Sequence, residues 1–193
     1  MASVAAGRLT YALGDTTAAM IFGDPKDFAI EVFHEPLGPT WIGFGRMALH
    51  VQSVVLGDIQ ADHCGLADAV ERLRELTVKV HERWDPSFSG HSDEEIFALI
   101  DRELYVDYGQ TDVTVEDGLR RYGRFDFLTN AGEQFDDVKT FIYVEPRGTV
   151  HILYQTEPTN SRAVTCSIDS FRSASLSFLD WFDREVRMGV SVA

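Results

Sequence analysis

Cysteine is nearly absent from this chain of 193 residues. Its two cysteines, Cys64 and Cys166, lie far apart and neither belongs to a C-x-x-C pair. The sequence therefore indicates neither a disulfide scaffold nor a zinc site. We expect both to be buried thiols in a reducing compartment, which predicts a cytoplasmic protein.

Long apolar segments are also missing. No stretch reaches the roughly 18 consecutive apolar residues that a membrane helix needs. Residues 1–19 carry a single Arg and no continuous apolar core, which argues against a secretory signal. We expect these residues to form a loosely ordered leader, with Met20 as an alternative start of translation.

Basic residues are scarce. The chain has 17 Lys and Arg against 31 Asp and Glu, a formal net charge of −14. This imbalance disfavours nucleic acid and anionic membrane surfaces as partners, and it favours a basic protein. Residues 93–137 carry most of the excess, with 13 acidic residues against 4 basic ones.

The usual local signatures of catalysis are missing too. The sequence contains neither a G-x-S-x-G elbow nor a G-x-x-x-x-G-K-[ST] loop, and neither cysteine stands beside a feature that would activate it. We therefore predict no catalytic residue, no cofactor and no metal. Carboxylates can still meet across a fold without a local signature, so a dispersed site remains an alternative.

Three stretches come close to known motifs. Gly43 to Ala48, GFGRMA, fits the dinucleotide pattern, but residues 46–51 alternate like a strand where a helix start is required. Residues 81–85, HERWD, resemble a zinc motif but offer no third ligand, so we favour solvated charges at a helix end. Residues 58–64 match no ligand spacing, and we interpret their aspartates as caps.

The strand pattern is clearest from Ile21 to Ile30, IFGDPKDFAI. Gly tolerates positive φ, Asp can bond the backbone ahead of it and Pro fixes φ, so Gly23-Asp24-Pro25 predicts a tight turn between two strands. Apolar alternation from Phe28 to His34 supports the second strand. Further strands are predicted at residues 41–51, 54–56, 125–128, 140–144, 149–154 and 163–168.

Helical spacing occupies the rest. Leu66 to Trp84 predicts an amphipathic helix ended by Pro86. Ser92 and Glu95 form a capping box for a second helix. A short third helix is predicted from residues 114–117 to 122–123, and a last one over residues 168–186.

The order of these elements predicts the fold class. Strands, helices, strands and a final helix are typical of an α+β protein, and no repeated βα alternation suggests a parallel sheet. We predict one domain over residues 20–193, built from an antiparallel sheet with amphipathic helices packed on it.

The acidic middle is the candidate functional region. Six carboxylates lie between residues 101 and 117, opposed there only by Arg102. Interleaved tyrosines are typical of a protein-binding surface, while simple solvation of an acidic face is the competing interpretation. The candidate partner-binding residues are Asp101, Glu103, Tyr105, Asp107, Tyr108, Asp112, Glu116 and Asp117.

The segment Ile21 to Ile30 resembles the immunity protein 42 family of bacterial polymorphic toxin systems. The similarity covers about residues 20–187. Its departures are the stretch before Met20 and the long acidic helical middle. Similar patches are Gly45-Arg46, Leu56-Gly57-Asp58, Phe135-Asp136 with Lys139-Thr140-Phe141, Val150 to Tyr154 and the aromatic helix around Trp181.

The resemblance implies a cytoplasmic antidote that is not an enzyme and that binds and neutralises a cognate toxin domain. Many toxin domains carry basic clefts for nucleic acid, so an acidic inhibitor could occupy the phosphate track. Two alternatives stay open: a small hydrolase with a dispersed His and carboxylate site, and an acidic adaptor for an unrelated basic protein.

Overall fold

A computed structural model describes residues 19–35, 43–61, 64–157 and 160–187. The predicted leader lies outside the described residues except for residue 19, as do Trp41, Asp62 and His63. The predicted extent of the domain, residues 20–193, stays a prediction.

The first strands form a five-stranded antiparallel sheet. β1 (Met20–Asp24), β2 (Phe28–His34), β3 (Phe44–Val51) and β4 (Val54–Leu56) are neighbours in chain order. The short β5 (Cys64–Gly65) pairs with the start of β3. The predicted β1–β2 hairpin is therefore confirmed, and the predicted strands at residues 41–51 and 54–56 form a second hairpin, β3–β4.

The turn between β1 and β2 requires its glycine. Gly23 has a φ of +106°, and a β-carbon on it would lie 2.3 Å from the carbonyl oxygen of Phe28. Asp24 accepts a hydrogen bond from the Lys26 amide at 2.9 Å, which fixes the turn as the sequence predicted.

Helix α1 (Ala67–Lys79) is shorter than predicted. It ends seven residues before Pro86 and continues as one 3₁₀ turn over Val80–Glu82. Val80 belongs to one core and Trp84 packs against another, and an unbroken helix would place both on the same face. The prediction that Pro86 ends the helix is therefore wrong.

The next two helices carry the acidic region. α2 spans Asp93–Tyr105 and α3 spans Asp112–Tyr122, so α3 starts two residues before its predicted position. The final helix, α4 (Ile168–Trp181), continues as a π-helix over Phe182–Arg187. Its predicted span is confirmed, with a change of helix type near the end.

A second, three-stranded antiparallel sheet follows in chain order. It consists of β6 (Lys139–Val144), β7 (Thr149–Gln155) and β8 (Ser161–Ser167). The strand predicted over residues 125–128 is wrong, because Asp126 makes only an isolated bridge. Phe125 and Phe127 would share one face of a strand, yet they enter different cores.

Two cores flank this three-stranded sheet. Phe141, Tyr143 and Leu153 face the helix α2, while the alternate residues face the five-stranded sheet, α1 and α4. The α+β class is thus confirmed, with the strands divided between two antiparallel sheets. The arrangement places α2 and α3 at the outer side of the second core.

Candidate functional site

Helix α2 forms the base of the acidic region. The Ser92 hydroxyl accepts a hydrogen bond from the Glu95 amide at 3.3 Å, and the Glu95 carboxylate accepts one from the Ser92 amide at 2.8 Å. This is the capping box that the sequence predicted. Ile96, Phe97 and Ile100 are buried in the second core, so the acidic side of α2 faces outward.

The start of α2 is also tied to the sheet. The Tyr143 hydroxyl donates to Asp93 at 2.6 Å, and His151 Nδ1 lies 3.0 Å from the same carboxylate oxygen. The hydrogen bond from His151, followed by that from Tyr143, lowers the pKa of Asp93. These contacts fix the orientation of the helix on β6 and β7.

Helix α3 is held on α2 with little burial. Only Gly118 and Tyr122 of this helix are buried. The Thr111 hydroxyl caps its start by accepting from the Thr114 amide at 3.3 Å. Its last turn is tied down by Arg121, which donates to the two oxygens of Asp85 at 2.9 and 3.1 Å.

Asp85 is thereby a structural anchor. Its side chain is 8 % exposed and also accepts from the Ser87 amide at 2.9 Å. The bond from Arg121, together with the Ser87 amide, holds the pKa of this carboxyl well below its usual range. Asp85 ends the zinc-like stretch and is ion-paired with Arg121 and Arg124. Because its side chain is buried, the interpretation of residues 81–85 as solvated charges is wrong for this carboxylate.

Three of the candidate carboxylates are ion-paired within the protein. Asp101 lies 2.5 Å from Lys139 Nζ, Glu103 lies 2.6 Å from Arg102, and Asp117 pairs with Arg120. The side chains of Asp101 and Glu103 are only 21 % and 15 % exposed. These two residues thus contribute mainly to the fold and to the negative field.

The other three carboxylates are exposed. Asp107 accepts a hydrogen bond from the Gly109 amide at 2.9 Å and shapes the loop between α2 and α3. Asp112 lies in the first turn of α3, where the helix dipole favours a negative charge. Among the described residues, neither Asp112 nor Glu116 has an ion-pair partner.

The two candidate tyrosines are in different environments. The Tyr105 ring lies 6.1 Å from that of Phe141, and Lys139 Nζ stands 4.8 Å from its centroid. Burial, followed by the charge of Asp126, raises the pKa of Tyr105 to about 12. Tyr108 is in the loop and 51 % exposed. Tyr108 is the better placed of the two to meet a partner.

Sequence reasoning missed the apolar residues of this region. Val106, Val113, Val115 and Leu119 are 42, 68, 36 and 53 % exposed. Val115 and Leu119 stand seven and three residues before Tyr122, a helical spacing that would normally place all three in a core. In the structure only Gly118 and Tyr122 of this helix are buried, so Val115 and Leu119 are left exposed.

The remaining near-motifs have structural explanations. Residues 44–51 are the strand β3, so GFGRMA does not start a helix and lacks the amide cradle of a dinucleotide site. Asp58 accepts from the Gln60 amide at 2.8 Å within a turn, and the N-cap residue of α1 is Leu66, so the prediction that Asp58 caps the helix is wrong.

The two thiols are unsuited to nucleophilic chemistry. Both are buried, as predicted. Burial raises the pKa of the Cys64 thiol, and burial together with Asp27 raises that of Cys166 to about 12. Each therefore stays protonated near neutral pH.

A groove of about 650 Å³ runs along α1 beside residues 129–131. Both of its arginines are paired with residues of the same fold: Arg74 with Asp183 at 2.9 Å and Arg72 with Asp126 at 3.4 Å. In the described ranges, no three His, Cys, Asp or Glu side chains come together to hold a metal ion.

None of the helices within the described ranges has both the length and the hydrophobicity to cross a membrane.

The α+β architecture is shared with a solved protein. The chain is similar to the crystal structure of CdiI from Burkholderia dolosa AUO158, with a TM-score of 0.55 and 14 % sequence identity. The similarity covers 83 % of this chain and 99 % of that one. At this level of sequence identity, the similarity is evidence for a shared fold alone. No curated protein matches the chain significantly.

The family is defined by sequence. The immunity protein 42 family matches residues 20–181. The chain belongs to this family, as the motif around Gly23-Asp24-Pro25 predicted. Membership in this family supports a toxin-neutralising role within a polymorphic toxin system, and it favours an inhibitor over an enzyme.

Proposed function

We propose that this protein neutralises its cognate toxin by binding it, without catalysis, through an acidic surface formed by residues 101–117. The observation that carries the proposal is the exposure of α3 and the preceding loop. Asp107, Tyr108, Asp112 and Glu116 all face solvent there, on elements that contribute little to either core.

The charge distribution supports a basic partner. The net charge is −14, and residues 93–137 hold 13 acidic residues against 4 basic ones. Long-range attraction of this kind raises association rates by about 10- to 1,000-fold. A toxin domain with a basic cleft would be steered to this surface, which would then cover the cleft. Such binding would take place in the cytoplasm, without nucleic acid or membrane.

The roles of the eight candidate residues differ in this proposal. Tyr108 and the exposed carboxylates of Asp107, Asp112, Glu116 and Asp117 make contact. Asp101 and Glu103 maintain the surface through their ion pairs with Lys139 and Arg102. Tyr105 borders the contact and supports it by packing on Phe141.

Co-expression with the toxin domain encoded by the neighbouring gene tests the function. We expect this protein to restore growth of cells that produce the toxin domain, and the two purified proteins to form a stable complex. The free protein should leave the toxin's substrate unchanged. Rescue of growth without a complex, or turnover of the substrate by the free protein, would refute neutralisation by binding.

A further inference from the structure

The exposed side chains of α3 form an ordered stripe. Residues 112, 115, 116 and 119 follow the spacing i, i+3, i+4 and i+7, which places them on one face of a helix. Two of them, Asp112 and Glu116, are exposed carboxylates, and the other two, Val115 and Leu119, are exposed apolar residues. These four residues are here called the α3 stripe.

We propose that the α3 stripe lies in a groove of the toxin domain that has an apolar floor and Lys or Arg side chains along its rim. Helices that bind in grooves use this same spacing of anchor residues. The inference rests on the proposed function, because it requires the toxin domain as the partner. It adds to that function the chemistry of the toxin surface and the residues that hold the complex together.

The burial of α3 sets it apart from the other helices. α1 and α4 each bury five residues, and α2 buries Ile96, Phe97 and Ile100. In α3 only Gly118 and Tyr122 are buried, although the helix also contains two valines and a leucine. These apolar side chains therefore add little to the stability of the free protein.

The helix is nevertheless firmly positioned. A helix of 11 residues is marginal by itself in water, so its contacts with the rest of the protein must hold it. The Thr111 cap, the close contact of Gly118 with α2 and the Arg121–Asp85 pair provide them. An exposed apolar face on a rigid helix is pre-organised for binding, which lowers the entropy lost on association.

Charge complementarity identifies the partner as basic and argues against a second copy of this chain. Asp112 and Glu116 stand about one helical turn apart, and among the described residues neither has an ion pair. Two copies joined along the stripe would bring four carboxylates together in chains that each carry a charge of −14. Lys or Arg on the rim of a groove would satisfy both carboxylates.

The two kinds of residue should have separable kinetic effects. Exposed charges mainly set the association rate, while desolvated apolar anchors mainly set the lifetime of the complex. Truncation of Leu119 should therefore raise the dissociation rate about tenfold, the effect of losing a modest hot spot. The association rate and its salt dependence should stay as in the wild type.

The test uses the full chain and the toxin domain encoded by the neighbouring gene, with rates from surface plasmon resonance. The variants are Leu119→Ala and the double variant Val115→Ala/Leu119→Ala. Leu176→Ala on α4 is the matched control, because Leu176 is 52 % exposed and Leu119 is 53 % exposed. Urea unfolding of each variant verifies that the fold is unchanged.

We expect faster dissociation for both stripe variants and unchanged dissociation for Leu176→Ala. If the wild type binds and Leu119→Ala dissociates like Leu176→Ala, the stripe assignment is wrong while the proposed function stands. If the wild type does not bind the toxin domain, both fail. Self-association of the free wild type that Leu119→Ala abolishes would identify the stripe as a contact between copies and overturn the inference.

Discussion

A β-carbon on Gly118 of α3 would stand 2.9 Å from the backbone carbonyl oxygen of Glu103 in α2. Real β-carbons essentially never approach so closely, so the two helices meet here at backbone distance. The position of the exposed α3 surface, and with it the proposed binding site, depends on this contact.

Gly118→Ala should destabilise the protein by about 1–3 kcal/mol, because the added carbon forces α3 away from α2. The sign of the change in unfolding free energy is informative. Helix propensity alone would make Gly118→Ala stabilising, because Ala is about 1 kcal/mol better than Gly inside a helix. Urea unfolding measures the change. Gly123→Ala is the control: its β-carbon position has open space around it, and we expect a change within about 0.5 kcal/mol. Equal stabilities for the two variants would show that the close contact does not hold α3.

Asp85→Asn should cost about 1–3 kcal/mol at pH 7, because it weakens the bonds to Arg121 and Arg124 at a site where the aspartate is 8 % exposed. We expect a loss in the lower half of this range, because the Arg121 side chain is 51 % exposed and its charge stays hydrated. Thermal and urea unfolding measure the loss.

The same variant has a defined pH dependence. The Arg121 bond depresses the pKa of Asp85 in the folded protein below its unfolded value of about 3.9. The stabilisation is therefore complete above about pH 5 and is lost progressively as the pH falls below 3.9 towards the folded pKa. The difference in unfolding free energy between wild type and Asp85→Asn should shrink between about pH 5 and pH 2. A difference that stays constant over this interval would contradict the assigned role.

The two tyrosines should respond differently to truncation. Tyr108→Ala should weaken toxin binding by about 1–2 kcal/mol and change stability by less than about 0.5 kcal/mol, because Tyr108 is half exposed in a loop. Tyr105→Ala should instead destabilise the fold by about 1–3 kcal/mol, because its ring packs beside Phe141 and Lys139. Calorimetric titration measures toxin binding and urea unfolding measures stability. If Tyr105→Ala weakens binding as much as Tyr108→Ala does and leaves stability unchanged, Tyr105 is a binding anchor after all.

Much of the fold follows from local patterns. The β1–β2 turn, the Ser92–Glu95 capping box and the strands β6 and β7 depend on neighbouring residues, so their sequence signals suffice. The early end of α1 and the irregular segment 125–128 do not. Both depend on which core receives Val80, Trp84 and Phe125, and that is decided by contacts distant in sequence.

The candidate surface was predictable as a charged segment but not as individual side chains. The acidic excess follows from the number of carboxylates in the sequence. Which of them are paired does not, because Asp101 pairs with Lys139, 38 positions away. The exposure of Leu119 could not be predicted, because its three-residue spacing to Tyr122 is typical of a buried helix face. Only the packing of Gly118 on α2 reveals which side of α3 faces solvent.

A charge-reversal variant tests whether the protein binds a basic toxin through residues 101–117. Asp107, Asp112, Glu116 and Asp117 are its positions, each changed to Lys. Asp101 and Glu103 are left intact because their ion pairs support the fold.

The chain offers a control with the same change in charge, in which four exposed acidic residues outside this surface are reversed to Lys. Each control position matches one test position. Like Asp107, Asp24 is a turn carboxylate that accepts from a backbone amide, and like Asp112, Asp68 lies in the first turn of a helix. Like Asp117, Glu71 pairs with an arginine three positions away, and like Glu116, Glu157 is exposed and has no ion pair among the described residues. The control positions are Asp24, Asp68, Glu71 and Glu157.

The deciding measurement is the association rate constant with the toxin domain at several salt concentrations, by stopped-flow fluorescence. Reversal within residues 107–117 should slow association at least tenfold at low salt and flatten or invert its salt dependence, while the control reversal should retain most of the wild-type slope. Equal rates and equal slopes for the two variants would contradict binding through this surface.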